Sequence, residues 1–419
     1  MTQSDVVQGE GAELLIRRAL FPLLVLFALL SSQISVGYIL FLLLAAGWAA
    51  TGWRLESFRR ALAHPLSAVA GAYALLVVLS VIFSLDPWAS SRAIPSLSLL
   101  LLVPITIDLV DSPRRARTLL LGFAAAGVAL ALLGLAELPR AGTDLQNRIR
   151  GPLSHYMTLS GLTLLAGCVL LAFSLEGRGR ARWLGAAAVL PFAAMIFTLT
   201  RGAYVGAVVA VTAYLVLRRP RGLLVFAPAL VAVFFLLPPD VRHRAASIVD
   251  PSDRTNRDRI AMARAGARMI ADRPIFGFGP ELVKPYYTLY RDPDAPRWRV
   301  PHLHDNMLQI AAASGVFAAG AYLALLALFF ARAGRLLRVE HAPDRGLIAA
   351  AAFLAVSAAS VAGLFEYNFG DKEVLMATLP LLALPFCRGM TGETSREAIA
   401  PPGAEQSSPA VVPLRRIQS

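Results

Sequence analysis

Apolar runs of roughly 15 to 20 residues recur along almost the whole chain, separated by short polar connections. A helix rises 1.5 Å per residue, so about 20 such residues cross a hydrocarbon layer ~30 Å thick. The runs predict about 12 spans, at roughly 14–31, 34–51, 66–84, 95–110, 118–137, 156–175, 183–200, 202–217, 222–238, 307–331, 347–365 and 374–387. The ten-residue alternation of a membrane β-barrel is not seen. The pattern therefore predicts an all-α polytopic membrane protein. One interruption breaks it. Between runs nine and ten the chain is polar from about Pro238 to Leu303, and it re-enters the apolar phase on Pro301-His302-Leu303-His304-Asp305-Asn306. The expected organisation is an N-terminal segment 1–13, a membrane domain 14–387 that includes the loop 238–303, and a tail 388–419. The tail is rich in Pro, Ser and Glu, as disordered segments are. The first run lacks a small-x-small cleavage site and is followed almost at once by a second, so it reads as a retained helix.

Composition sharpens this picture. The chain is 57% hydrophobic and 16% charged, against about a quarter charged in soluble proteins. Its formal charge is +13, and only Lys284 and Lys372 among its basic residues are lysines. Arginines cluster in alternate connections, at 17–18, 54–60, 114–117, 178–182, 218–221 and 332–345. The positive-inside rule then puts both termini in the cytoplasm and the 238–303 loop outside. Three outer features break that rule: Arg140, Arg148 and Arg150 before span six, Arg201 between spans seven and eight, and twelve basic residues from Arg242 to Arg299. Positive charge kept on the outer side suggests a phosphate-bearing ligand there. No basic, aromatic-bearing soluble domain exists to bind nucleic acid. Cys168 and Cys387 lie in apolar runs without metal spacing and read as core residues.

Arg201 sits in Phe197-Thr198-Leu199-Thr200-Arg201-Gly202-Ala203-Tyr204 with apolar helix on both sides. A charge at that depth faces a cavity, a partner or an interface. Residues from Asn256 to Asp272 predict a helix capped by Asp253 or Asn256 and ended by Pro274, with Ile260, Ala263, Ala267 and Ile270 as its apolar face. Arg257, Arg264 and Arg268 fall on a solvated or headgroup-facing side, while Arg259, in the first turn, can reach the membrane mouth. Ile275-Phe276-Gly277-Phe278-Gly279-Pro280 predicts a redirecting turn, not a dinucleotide fingerprint, because no βαβ unit surrounds it. His302 and His304 open span ten. No cluster of further His, Cys or carboxylate ligands accompanies them, so acid/base work is preferred over metal binding, with Asp305 or a carboxylate from the loop to orient the imidazole. His155 is a second imidazole at the outer mouth. No nucleophile elbow or P-loop is present.

These segments resemble the O-antigen ligase and O-antigen polymerase superfamily of bacterial inner-membrane proteins. Thr200-Arg201-Gly202-Ala203-Tyr204-Val205-Gly206 is similar to its Ser/Thr-Arg-Gly-aromatic turn. Arg259 to Gly279 resembles its Arg, amphipathic helix, Arg-Pro, Gly-x-Gly pattern. His304-Asp305, then nine residues, then Gly315 matches its His-x10-Gly spacing, with Asp305 departing from the usual Asn, Ser or Gln. The resemblance implies a metal-independent glycosyltransferase without a cofactor. Its donor is a glycan on undecaprenyl diphosphate at the periplasmic face of the inner membrane, and its acceptor a sugar hydroxyl of lipid A–core. Arg201 and Arg259 would bind the donor diphosphate and His304 would activate the acceptor hydroxyl. Arg148, Arg150, His155, Arg299 and His302 are further substrate-binding candidates.

Within that family, a polysaccharide polymerase or a protein O-oligosaccharyltransferase fits equally. From another class, a transporter or flippase of an anionic lipid would explain interior arginines but not the His-bearing loop. A scaffold for an envelope complex would leave Arg201 and His304 dispensable.

Overall fold

A computed structural model describes residues 3–53, 55–142, 145–340 and 342–390. It is helical throughout, with no strand among the described residues. The main helices are α1 (Gln3–Leu30), α2 (Ile34–Gly52), α3 (Pro65–Ile82), α4 (Pro87–Leu109, broken), α5 (Pro113–Leu135), α6 (Tyr156–Glu176), α7 (Val189–Phe197), α8 (Arg201–Arg218) and α9 (Leu223–Leu236). The loop contributes α10 (Pro239–Ala246), α11 (Arg254–Asp272) and α12 (Val283–Tyr290). It is followed by α13 (Asn306–Val339), α14 (Pro343–Ala362) and α15 (Lys372–Ala383). Each of the twelve apolar runs falls on a helix in order. Nine helices among the described residues are long and apolar enough to cross a membrane. Leu223–Leu236 and Lys372–Ala383 are shorter than a full span needs. Of the expected tail, residues 388–390 form a short 3-10 turn. The remainder, 391–419, lies outside the described residues.

Two helices form the middle of the bundle. The spans α6 and α14 are 78% and 83% buried, whereas most others show about half or more of their surface outward. Helix α14 is built largely of alanine, and small residues let helices approach closely where no water drives them together. Its partner α8 answers with glycine. A Cβ on Gly206 would lie 2.5 Å from the Ala358 carbonyl oxygen, and one on Gly202 would lie 2.9 Å from Phe365. This contact brings the start of α8, with Arg201, against the end of α14.

The 238–303 loop is a folded cap. Met262, Ala265, Met269, Phe278, Val283, Tyr287 and Leu303 bury a second small core against Ala312 and Ala313 at the start of α13. Asp253 caps α11, accepting from the Thr255 and Asn256 amides. The expected apolar face of α11 is corrected. Ile260 and Ala267 are exposed, and the buried face is Asp258, Ala261, Met262, Ala265, Gly266 and Met269. Ranking positions by hydrophobicity missed it because a carboxylate and a glycine sit on the buried side. Arg257, Arg264 and Arg268 are exposed as expected. Arg268 bonds the Tyr290 carbonyl and pairs with Asp292.

The cap is joined into α13 itself. The helix breaks at Gly315, where φ is +85°. The Ala312 and Ala313 carbonyls accept from the Phe278 and Gly279 amides at 3.0 and 2.8 Å, and the Val316 amide donates to the Pro274 carbonyl at 2.8 Å. Ser80 of α3 adds hydrogen bonds to the Phe276 and Ala313 carbonyls. Backbone groups at membrane depth need such partners, and here the redirecting turn supplies them.

Candidate functional site

Four segments converge at the loop-bearing end of the bundle: the turn before α8, helices α10 and α11, residues 301–305, and the connection after α14. Two non-glycine residues there hold left-handed backbone, Leu199 (φ +55°) and His304 (φ +53°). Each turns its carbonyl to an arginine. Leu199 accepts from Arg244 Nε at 3.3 Å, and His304 accepts from Arg259 at 3.3 Å. Strain of this kind persists where its surroundings hold it, and it clusters at functional sites.

His304 is 8% exposed. Its Nδ1 lies 2.9 Å from Glu366 Oε2. Glu366 Oε1 lies 3.3 Å from His302 Nε2, and His302 Nδ1 accepts from the His304 amide at 3.2 Å. These bonds fix the tautomer of His302. His302 Nδ1 accepts, so its Nε2 carries the proton toward Glu366, and His304 Nδ1 faces the same carboxylate. His304 Nε2 is buried and has no hydrogen-bond partner among the described residues. Burial alone would raise the Glu366 carboxyl. The hydrogen bond from His304, then the electrostatic influence of the two imidazoles and of Arg259, instead hold it below its ordinary value.

Burial pushes His302 down to about 4, with Glu366 opposing and His304 and Arg259 adding to the effect. It is therefore neutral in the folded protein near neutral pH. The unfolded chain's histidine titrates near 6.5. Below that pH the unfolded state binds the extra proton, so stability should fall as pH drops from about 6.5 towards about 4. Thermal denaturation of the purified protein across this window should show that decline, and a smaller one in His302→Gln. Equal slopes for the two proteins would refute the linkage.

His304 lines a small cavity of about 70 Å³ with Arg148, Arg201, Arg244, Arg259 and Arg297. Asp258 is the one carboxylate in that lining. Arg297 pairs with it at 2.9 Å. Arg201, 8% exposed, is more occupied than its sequence position suggests. It bonds the Ser247 carbonyl and hydroxyl and Asn256 Oδ1, and pairs with Asp253 at 3.0 Å. It therefore clamps the cap to α8 as well as lining the cavity. Burial, then the charges of Arg201 and Arg148, push Arg244 down to about 10. Burial also lowers Arg259, with Glu366 opposing and Arg201 adding. Crowded, desolvated cations of this kind gain most from a bound anion.

The remaining candidates divide. Arg148 lies over the Tyr156 ring, 4.3 Å from its centroid, at the cavity wall. His155 caps α6 through Nδ1, accepting from the Met157 amide. His302 faces a second cavity. Arg150 and Arg299 are exposed and line neither. Asp305, the departure from the expected motif, caps α13 by accepting from the Leu308 amide at 2.8 Å. Sequence reasoning missed Glu366 and Arg244. Glu366 was findable as a charge immediately after an apolar run, amid Phe365, Tyr367 and Phe369. Nothing singled out Arg244 among the twelve basic residues of its stretch. The carboxylate that sequence did not pair with the histidines also creates a ligand-like set. Potential ligand atoms of His302, His304 and Glu366 lie within 4.8 Å of one another. Two imidazoles and a carboxylate suit a divalent transition ion by donor type.

Fold and site together define a polytopic helical membrane protein whose polar, arginine-rich centre is closed by a folded cap. Residues 186–323 match the family model described as O-antigen ligase, a range that holds Arg201, the whole cap, His304 and Gly315. That third of the chain is thus similar to the O-antigen ligase family. No curated protein matches the chain at a significant level.

Proposed function

We propose that the protein transfers a glycan from undecaprenyl diphosphate to a sugar hydroxyl of lipid A–core at the periplasmic face of the bacterial inner membrane. The observation that carries this reading is the unpartnered Nε2 of His304, held by Glu366 and sharing a cavity with five arginines. Nε2 takes the proton of the acceptor hydroxyl as its oxygen attacks the anomeric carbon. The bond from that carbon to the phosphate oxygen breaks, and the electron pair leaves with the diphosphate. Arg259, Arg244 and Arg201 stabilise the charge that grows on it, a role that other transferases give to a metal ion. Direct displacement inverts the anomeric centre. An apolar groove of about 610 Å³ between α7, α8 and α9 reaches Ala245, the neighbour of Arg244, and suits the lipid chain of the donor.

The test is purified protein with an undecaprenyl-diphosphate glycan, lipid A–core and EDTA. Glycan on lipid A–core is expected. A ladder of longer lipid-linked chains would make the protein a polymerase. Activity that needs a divalent ion would move His302, His304 and Glu366 into a metal centre. Absence of donor binding would favour transport of an anionic lipid.

Arg201→Lys is expected to lower transfer at least tenfold, because a point charge cannot meet four acceptors in a fork geometry. Full activity in this variant, measured at saturating donor, would reduce Arg201 to a general source of charge.

A further inference from the structure

A second cavity, of about 300 Å³, lies on the other side of the histidine pair. Its lining includes Arg92 from the start of α4, Lys284 from α12, Lys372 from the start of α15, Glu281, Tyr367 and His302. Three cations from three separate elements face one carboxylate. The chain has only two lysines, and both line this one space. Among the described residues none of the three cations joins a salt bridge, unlike Arg201 and Arg297 in the neighbouring cavity. Lys372 is steadied by the Tyr38 ring, with Nζ 5.7 Å from its centroid.

The two cavities meet at the imidazoles. His302 lines one and His304 the other, and their ring centroids are 4.2 Å apart. A molecule held in the lysine cavity thus lies beside His302, whose ring adjoins that of His304, on the side away from the five-arginine cavity. The cation types differ as well. Guanidinium forks suit a diphosphate held in one pose, whereas lysines on flexible stems suit a phosphate whose position varies.

We infer that the Lys284–Lys372–Arg92 cavity binds a phosphate group of the glycan acceptor and so selects phosphorylated acceptors; this rests on the transferase reading above. Arg92 and Lys284 are exposed, so the selection weakens with salt.

The experiment uses the full chain in phosphatidylcholine nanodiscs. Three probes are offered: lipid A–core with its phosphates intact, the same material dephosphorylated, and undecaprenyl diphosphate. The wild type should prefer the phosphorylated acceptor by about tenfold or more. The double variant Lys284→Gln/Lys372→Gln should bind both acceptor forms nearly alike and keep undecaprenyl diphosphate binding unchanged. A retained preference in the variant, or an equal loss for both acceptor forms, would overturn the inference. Repeating the binding in phosphatidylglycerol nanodiscs separates the sources of phosphate. If wild-type affinity for the acceptor drops there and that of the variant does not, the cavity takes a membrane headgroup and the acceptor assignment fails. A wild type that ignores undecaprenyl diphosphate would count against the transferase reading, and that outcome is distinct from lost phosphate selection.

Discussion

Glycan transfer by His304→Asn should fall about 10²–10⁴-fold at neutral pH, with the protein still folded in the membrane and still binding donor. Asparagine is the informative replacement. His304 holds φ +53°, a conformation that Asn tolerates better than Ala, so backbone strain is not confused with lost chemistry. His304→Ala should lose the same activity and some stability with it. Asn cannot accept a proton from a sugar hydroxyl, and it leaves the arginine cavity in place, so product formation should collapse while donor affinity holds. Glu366→Gln should act in the same direction but less severely. A neutral amide can still contact His304 Nδ1, yet it cannot accept from both imidazoles and stabilise the charged form that follows proton uptake. If His304→Asn transfers glycan near the wild-type rate in a single-turnover assay, His304 is not the base.

Gly315→Ala should be the most damaging small substitution in the chain, with a stability loss on the order of 3 kcal/mol. A Cβ at this position would lie 1.9 Å from the Ile275 carbonyl oxygen and 2.4 Å from its carbon. Both are backbone atoms, so no side chain can swing aside. The φ of +85° adds strain for any L-residue. Gly320, five residues on in the same helix, has nothing within 4 Å of its built Cβ, so Gly320→Ala is the matched control. Thermal unfolding in detergent, followed by the intrinsic fluorescence of the five tryptophans, measures the difference. Equal melting of the two variants would show that the junction between turn and helix is not what holds the cap.

Much of this architecture is readable from hydrophobicity alone, because a membrane leaves the backbone few choices. The order of the apolar runs, the polar excursion before His304 and the cap of α11 all follow from local pattern. His304, Arg201 and Arg259 stand out because charge or imidazole beside lipid is expensive. What local pattern lacks is pairing across distance. Glu366 is 62 residues from His304, and only the packing of α14 against α8 and α6 brings it there. Arg201 reads as a free anion ligand in sequence, yet the fold gives it Asp253, Asn256 and Ser247. The buried face of α11 was misplaced for a related reason, since Asp258 turns inward to meet Arg297. Each of these departures is a polar group buried for the sake of a distant partner.

The hydrogen bonds that run between the redirecting turn and the broken helix α13 limit how the protein can open. A lid must detach from its frame, and this cap shares backbone bonds with a spanning helix on both sides of the break. Lifting it would break those bonds and leave the Ala313 carbonyl only its contact with Ser80. Traffic is then directed sideways. Lipid-borne molecules would slide in from the plane of the bilayer along grooves between helices, while the roof stays shut.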